Sequence, residues 1–310
     1  AGIMHNKFII VDANSTNNSW ILGGSTNWTT PSNLLNDYNN MVFIQDEAIA
    51  KAYTLEFEEM WSGVFGYNKS DNTPHKFITD GKLVEVYFSP SDQTTSHILK
   101  TIESVESTLE FGLLSFTRDD LGQAVIGKDI EFGVTARGII EQANGNGSEF
   151  SNLTNASVDV RSHTGVTHVF HHKYLIVDAN AISSDPTVLT GSHNWSNNAE
   201  DNSDENTLII HDATIANIYL QEFEKRWGEL GCANAIDELI NIEVSIFPNP
   251  SSGIINIRSD LKINQIYVYS VDGKYLSTSE SKKIDIAIKG IYFLKIMTDK
   301  GTSIRKVIVK

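Results

Sequence analysis

The chain has 310 residues, a net charge of −15 at neutral pH and a single cysteine. This length is enough for more than one domain, one cysteine excludes an internal disulfide framework, and no apolar run reaches the ~20 residues that span a bilayer. Residues 245–310 hold 11 Lys and Arg against 5 Asp and Glu, whereas the remaining residues hold 13 against 34. Such an acidic body lacks the basic footprint of a general nucleic-acid binder, so no stable nucleic-acid partner is expected.

Up to about residue 242, short apolar runs alternate with amphipathic stretches, which predicts an α/β layer architecture. In chain order, strands are predicted at Phe8–Val11, Leu22–Gly24, Met41–Ile44, Leu83–Tyr87, Thr108–Leu114, Gly133–Ile140, Val158–Arg161, Tyr174–Val177, Val188–Gly191 and Thr207–Ile210. Helices are predicted at Asp46–Trp61, Thr94–Ser107, Asp119–Gly127 and Asp212–Trp227. The polar segment Gly63–Thr79 is predicted to connect two halves.

Beyond residue 242 the pattern changes to strands and turns alone. Strands are predicted at Val244–Phe247, Ile254–Ile257, Gln265–Tyr269, Ile284–Ile288, Gly290–Met297 and Ser303–Val309, with turns at 271–274 and 299–301. This pattern predicts a separate, small all-β sandwich of immunoglobulin-like type.

The main feature of the sequence is an internal repeat. A His-x-Lys-x4-Asp motif followed by Gly-Ser-x-Asn-Trp occurs twice, about 166 residues apart. The repeated pairs are His5 and His171, Lys7 and Lys173, Asp12 and Asp178, Ser25 and Ser192, Asn27 and Asn194, Glu56 and Glu222, and Trp61 and Trp227. The second copy has a strand and helix framework before its histidine, beginning at Leu83, whereas the first has four residues. We therefore expect that the chain lacks roughly the N-terminal half of its first repeat.

The repeated residue types suit work on a phosphodiester. Hydrolysis needs a nucleophile, neutralisation of the phosphate charge and a proton for the leaving oxygen. Imidazole titrates near working pH, so one histidine can attack phosphorus while another donates the proton. In an extended His-x-Lys segment both side chains lie on one face, so each lysine can hold phosphate oxygens beside its histidine. The Ser and Asn of each turn can add hydrogen bonds, and Trp28 and Trp195 are expected to pack beneath those turns.

These twin motifs resemble the phospholipase D superfamily over residues 1 to about 230. The resemblance implies a two-half α/β sandwich with pseudo-twofold symmetry, a site between the halves, a covalent phosphohistidine intermediate, and no cofactor or metal. The implied organisation is 1–76 for the C-terminal part of an incomplete first half, 77–233 for the second half, 234–244 for a linker and 245–310 for the sandwich.

Carried over by position, the resemblance makes His5 and His171 the nucleophile and the general acid, with His5 favoured as nucleophile. It places Lys7 and Lys173 on the phosphate. It also implies phosphate-binding roles for Ser25, Asn27, Ser192 and Asn194, and structural roles for Asp12 and Asp178.

The two copies differ at one position with catalytic importance. Glu205 fits the acidic residue that orients a histidine in the family, but its counterpart in the first copy is Asn39. Asp37 can substitute if the loop shifts. This asymmetry either sets the two imidazole pKa values apart, as a division into acid and base requires, or signals weakened activity.

The C-terminal segment resembles a type IX secretion sorting domain of Bacteroidota. The resemblance rests on Ile-Phe-Pro-Asn-Pro at 246–250, Lys-Gly-Ile-Tyr at 289–292 and the terminal Lys-Val-Ile-Val-Lys. It implies export to the cell surface or medium by the type IX machinery.

The sequence thus predicts a secreted phospholipase D-like hydrolase acting on a phospholipid headgroup or another phosphodiester. Two alternatives stay open: a secreted nuclease of the same superfamily, and a surface module that has lost turnover.

Overall fold

The computed structural model describes residues 2–30, 32–181, 184–234, 244–271, 275–298 and 301–310. The chain divides into two units, Ala1–Gly231 and Cys232–Lys310. Three residues of the turn predicted at 271–274, two residues of the turn predicted at 299–301 and most of the linker predicted at 234–244 lie outside the described residues.

The first sequence copy forms a three-stranded antiparallel sheet and one long helix. Its strands are β1 (Phe8–Val11), β2 (Trp20–Gly24) and β3 (Met41–Gln45), in the order β1-β2-β3, and its helices are α1 (Ser32–Leu35) and α2 (Glu47–Trp61). Helix α2 begins where the side chain of Asp46 accepts a hydrogen bond from the backbone N–H of Ile49, a standard N-cap. Its buried residues Ile49, Ala50 and Tyr53 pack in one apolar cluster with Ile21.

The second copy forms a mixed eight-stranded sheet in the order β4-β5-β11-β10-β9-β6-β7-β8. Its strands are β4 (Lys76–Thr79), β5 (Lys82–Ser89), β6 (Thr108–Leu113), β7 (Thr135–Ile140), β8 (Asp159–Ser162), β9 (Lys173–Val177), β10 (Thr187–Gly191) and β11 (Glu205–His211). Its helices are α3 (Thr94–Glu103), α4 (Asp119–Asp129), α5 (Phe150–Asn155), α6 (Asn197–Asp201) and α7 (Ala213–Asn234). Strands β9 and β10 are buried along their whole length, as expected for continuous apolar runs in a sheet covered on both faces.

Several details of the second copy differ from the prediction. The segment predicted as a connection contains β4, which pairs with β5 through a hairpin at Asp80 and Gly81. Both residues have positive φ, 49° and 74°, as a type I′ turn requires, so the Asp-Gly pair was a hairpin signal. Helix α3 ends at Glu103 rather than at Ser107. The short helices α5 and α6 were not predicted, and α7 ends at Asn234 rather than at Trp227.

The C-terminal unit is a β domain with two sheets. Strands β12 (Val244–Phe247), β13 (Ile254–Ser259) and β16 (Lys283–Asp285) form one sheet; β14 (Ile263–Ser270), β15 (Tyr275–Ser279), β17 (Gly290–Thr298) and β18 (Gly301–Val309) form the other. Ile255, Ile266 and Leu294 are fully buried in its core. The strand predicted at Ile284–Ile288 is shorter than expected, and β15 was not predicted.

The predicted α/β class of the first unit and β class of the second are confirmed. The immunoglobulin-like type and the boundaries 1–76, 77–233, 234–244 and 245–310 stay predictions. Among the described helices, none combines the length and the apolar character needed to cross a bilayer.

Candidate active site

The two histidine motifs meet because each is bound by a segment of the other copy. The backbone N–H of His5 donates to the carbonyl of Asp204 at 2.9 Å, and that of His171 donates to the carbonyl of Tyr38 at 2.9 Å. Both contacts belong to short parallel bridges, Met4 with Asp204 and Phe170 with Tyr38. The two bridges are equivalent: the second copy binds the His5 segment, and the first copy binds the His171 segment.

The His5 ring is oriented by the carboxylate that the sequence singled out. Nδ1 of His5 lies 2.7 and 2.8 Å from the two carboxylate oxygens of Glu205, whose side chain is 3% exposed. A carboxylate accepts hydrogen bonds, so Nδ1 carries the proton and Nε2 of the neutral ring presents its lone pair.

The His171 ring is oriented by neutral acceptors instead. Its Nδ1 lies 3.0 Å from the side-chain oxygen of Asn39 and 3.0 Å from the carbonyl of Ser25. The Asn39 amide nitrogen donates to the carbonyls of Asn33 and Asp37, which turns the Asn39 oxygen towards the ring. Nδ1 of His171 therefore carries the proton as well.

Asp37 does not replace the missing carboxylate. Its side chain accepts from the Asn33 amide at 2.6 Å and from the backbone of Val169 at 3.4 Å. Asn39 itself occupies the position equivalent to Glu205.

Each lysine folds back onto its own histidine. Nζ of Lys7 donates to the carbonyl of His5 at 2.7 Å, and Nζ of Lys173 donates to the carbonyl of His171 at 2.8 Å. Strand β1 begins after Lys7 and β9 begins at Lys173, so each His-x-Lys segment lies where the chain enters its strand.

In the free site, burial lowers the pKa values of both motif lysines and of His171. Burial lowers the pKa of Lys7 to about 8, against the opposing charge of Glu205. Burial, followed by the charge of Lys7, holds the pKa of Lys173 well below its ordinary value. Burial lowers the pKa of His171 to about 3, and Lys173 and Lys7 act in the same direction. His171 is thus neutral at pH 7.

Each Gly-Ser turn locks two neighbouring strands together. Gly24 and Gly191 have φ of 148° and 151°, and a Cβ there would lie 2.3 and 2.1 Å from the carbonyl oxygens of Asn40 and Asn206. Only glycine permits this approach. The serine that follows each glycine, Ser25 or Ser192, is fully buried, and its hydroxyl accepts from the N–H of Asn40 or Asn206. These contacts give both serines a structural task beside their predicted role on phosphate.

The asparagine of the first turn reaches across to the second histidine. The amide nitrogen of Asn27 lies 3.5 Å from Nε2 of His171. In the second turn, the buried side-chain oxygen of Asn194 has no hydrogen-bond partner. Trp195 is fully buried against Phe116, as predicted, but Trp28 is 47% exposed, so the predicted packing of Trp28 is wrong.

The motif aspartates lie at the other end of the strands. Asp178 accepts hydrogen bonds from the backbones of Glu106, Ser107 and Thr108. Burial opposes its ionisation, but these hydrogen bonds outweigh burial and hold its pKa below the ordinary value. Asp12 accepts through its carbonyl from the Ser19 hydroxyl. The carboxylate contacts support a structural role for Asp178, and the structural role of Asp12 stays a prediction.

Among the described residues, one group has the ligand types of a metal site, Asp71, His75 and Asp92. It lies around the β4–β5 hairpin and includes neither motif. His75 already uses one ring nitrogen on Asp71 at 2.9 Å and the other on the Val86 carbonyl at 3.0 Å. We assign no function to it.

The family of proteins with a cardiolipin synthase, phospholipase D-like domain matches residues 1–61 and 98–227, more than half of the chain. The chain belongs to the phospholipase D-like family. The match includes both histidine motifs, so the resemblance predicted from the repeat is confirmed.

This phospholipase D-like chain is similar to several known proteins. Mouse mitochondrial cardiolipin hydrolase is 33% identical over 141 residues, which cover 45% of this chain and 60% of the mouse protein. A phospholipase D of Rickettsia prowazekii is 28% identical over 145 residues, covering 46% of this chain and 67% of that protein. The solved phosphatidylserine synthase of Haemophilus influenzae has a TM-score of 0.52 at 14% identity, covering 73% of this chain and 61% of that one, which supports the fold alone.

Residues 245–310 match the secretion system C-terminal sorting domain. The predicted type IX sorting domain is confirmed, and it indicates secretion or cell-surface export.

Proposed function

We propose that this phospholipase D-like chain is an exported hydrolase that cleaves phospholipid headgroups through a phosphohistidine formed on His5. One observation supports this proposal more than any other. Both imidazoles have Nδ1 tied by an acceptor from the opposite copy, so Nε2 is the ring nitrogen left for chemistry, with the Asn27 amide 3.5 Å from that of His171. Such preorganised orientation is what general acid–base and nucleophilic catalysis require.

In the first step, Nε2 of His5 attacks the phosphorus atom while the bond from phosphorus to the headgroup oxygen breaks. That oxygen takes a proton from Nε2 of protonated His171. The bound phosphodiester brings a negative charge to Lys7 and Lys173, whose charges otherwise lower the pKa of His171. Substrate binding therefore favours protonation of His171.

In the second step, neutral His171 takes a proton from water, and the water oxygen attacks phosphorus. The bond between phosphorus and Nε2 of His5 breaks, which releases phosphatidate and returns His5 to its neutral form. A histidine without a carboxylate partner suits this step, because burial and the two lysines lower its pKa and favour the neutral form that accepts a proton.

Glu205 and Asn39 together motivate the assignment of His5 as nucleophile. Phosphorylation of Nε2 places a positive charge on the ring of His5, and the Glu205 carboxylate at 2.7 Å stabilises that cation. His171 alternates between neutral and protonated forms, and Asn39 fixes its orientation without favouring the cation.

Two observations support a lipid substrate. The mouse relative is named a cardiolipin hydrolase, so its substrate by name is a phospholipid diester. The acidic body of residues 1–244 would repel a polyanionic nucleic acid.

The type IX machinery is the partner that the sorting domain implies.

The test is hydrolysis of phosphatidylcholine vesicles, with choline and phosphatidate measured separately. We expect the two products in equal amounts, and unchanged release in His75→Ala, since the ring of His75 is bound to Asp71 and the Val86 carbonyl, away from both motifs. Hydrolysis of a nucleic-acid diester without choline release would reassign the substrate class. No hydrolysis of any diester would favour the module that has lost turnover.

The lowered pKa of Lys7 predicts an alkaline limit to substrate binding. Above pH about 8 the free site loses the Lys7 ammonium, so kcat/KM should fall as pH rises through about 8. The bound phosphate restores the charge, so kcat should fall less. Lys7→Arg should move this limb to higher pH, whereas the exposed control Lys51→Arg should leave it unchanged. An unmoved limb in Lys7→Arg would contradict the assignment.

A further inference from the structure

Two buried cations lie behind the histidines, and the repeat does not reveal either. The Lys69 side chain is fully buried, and the side chain of Arg226 is 10% exposed. Lys69 follows helix α2, whereas Arg226 lies within α7 at the position equivalent to Met60. Charged side chains rarely lie this deep unless they are paired, so the partners of these two indicate their task.

Lys69 closes a ring of contacts around the first histidine. Its Nζ lies 2.6 Å from a carboxylate oxygen of Glu56 and 3.4 Å from one of Asp204. Glu56 accepts from the amide of Asn6, next to His5 in the chain, at 3.0 Å. The Asp204 carbonyl accepts from the backbone of His5, so Lys69 fixes the histidine from both sides.

Arg226 closes the matching ring around the second histidine. Its Nε lies 3.2 Å from a carboxylate oxygen of Glu222, and its guanidinium carbon lies 4.4 Å from the centre of the Tyr38 ring. Glu222 lies 3.5 Å from Nε2 of His172, next to His171 in the chain. The Tyr38 carbonyl accepts from the backbone of His171.

The two rings share a layout but differ in chemistry. In each, a helix glutamate (Glu56 or Glu222) holds the middle residue of a His-x-Lys motif, and a cation joins that glutamate to the residue before Glu205 or Asn39. The first ring uses an ion pair with Asp204, and the second uses a cation–π contact with Tyr38. The two cations come from unrelated positions in the chain and yet make equivalent contacts. This argues that each half of the site requires a cation there.

We infer that Lys69 and Arg226 are positioning residues, each holding one histidine and its Nδ1 partner in the geometry that catalysis needs. Neither residue touches the reacting atoms of the proposed mechanism. Each acts through the dipeptide that binds the opposing histidine, Asp204-Glu205 or Tyr38-Asn39. Small displacements of a catalytic group by distant mutations can cost about 100-fold in rate.

The test compares Lys69→Met and Arg226→Met with Arg137→Met in the full chain. Arg137 is a matched control, because it too pairs with glutamates, Glu110 and Glu224, and stacks on Phe223 without contacting either histidine segment. We expect kcat per folded protein to fall about 10- to 100-fold in the first two variants with little change in KM. The control should lose thermal stability alone. Lys69→Arg should recover most of the rate by restoring the charge, whereas Arg226→Lys should recover less, since an ammonium cannot stack as a planar guanidinium does.

A second readout separates this inference from the proposed function on which its kinetic test rests. Histidine ¹⁵N NMR reports which ring nitrogen carries the proton, without turnover. In the parent chain we expect His5 and His171 to carry the proton on Nδ1. In Arg226→Met we expect a mixture of tautomers for His171 and an unchanged His5. In Lys69→Met we expect a mixture for His5 and an unchanged His171. If the parent chain hydrolyses no diester, the proposed function is overturned. The tautomer measurement would still test whether Lys69 and Arg226 position the histidines.

Unchanged tautomers together with wild-type kcat in a folded Arg226→Met protein would overturn the inference. If Lys69→Met fails to fold, because two buried carboxylates lose their partner, the Arg226 variants and Lys69→Arg decide.

Discussion

His5→Ala is expected to lower the rate of phosphodiester hydrolysis on the order of 10⁴-fold or more, because it removes the atom that attacks phosphorus. The loss should appear with phosphatidylcholine vesicles and with the soluble diester bis(4-nitrophenyl) phosphate. It should also remain across the pH range, since the alanine side chain offers no atom that can form the covalent bond at any pH. Steady-state kinetics with both substrates measure the effect.

The control for this variant is His75→Ala, which removes a histidine bound to Asp71 and the Val86 carbonyl and should leave both rates unchanged. Near-ultraviolet circular dichroism should be the same for both variants and the parent. Turnover within about tenfold of the parent in a folded His5→Ala protein would exclude His5 as nucleophile, because truncating a catalytic nucleophile costs far more.

His171→Ala is expected to have effects that depend on the leaving group. Choline departs as an alkoxide and needs a proton, so hydrolysis of phosphatidylcholine should fall about 10²- to 10⁴-fold. The 4-nitrophenolate ion leaves without a proton, so the first step with bis(4-nitrophenyl) phosphate should be much less affected. The second step still needs a base for water. Stopped-flow absorbance should therefore record a burst of about one equivalent of 4-nitrophenolate, followed by slow turnover.

The same experiment tests the division of labour between the histidines. His5→Ala should give no burst, since it cannot form the intermediate. A burst in His5→Ala and none in His171→Ala would exchange the two roles and make the neutral histidine beside Asn39 the nucleophile.

The sequence predicted the site because the repeat carries it. Apolar runs placed the motif strands correctly, and the paired positions identified His5, His171 and Glu205 before any geometry was known. The repeat also located Asn39, which stands where the second copy has the carboxylate of Glu205. It could not predict that each orienting residue contacts the histidine of the other copy, because spacing within a copy contains no information about pairing between copies.

Other features were beyond the pattern for physical reasons. Lys69 lies in a polar segment and has no repeated counterpart, so nothing in its neighbourhood distinguishes a fully buried lysine from a solvated one. The exposure of Trp28 depends on tertiary packing: Trp195 contacts Phe116 beyond strand β6, and the first copy has no equivalent contact among the described residues. Helix α5 is six residues long and follows a Gly-Asn-Gly loop, too short for a periodic signal.

Identification of the covalent intermediate in His171→Ala tests most directly whether a phosphohistidine forms on His5. The variant would be mixed with bis(4-nitrophenyl) phosphate, quenched in alkaline denaturant during the burst, digested with trypsin and analysed by mass spectrometry. We expect a 4-nitrophenylphosphoryl group on His5, in the peptide that ends at Lys7. Turnover without an adduct on that peptide, or an adduct on another residue, would contradict a phosphohistidine at His5.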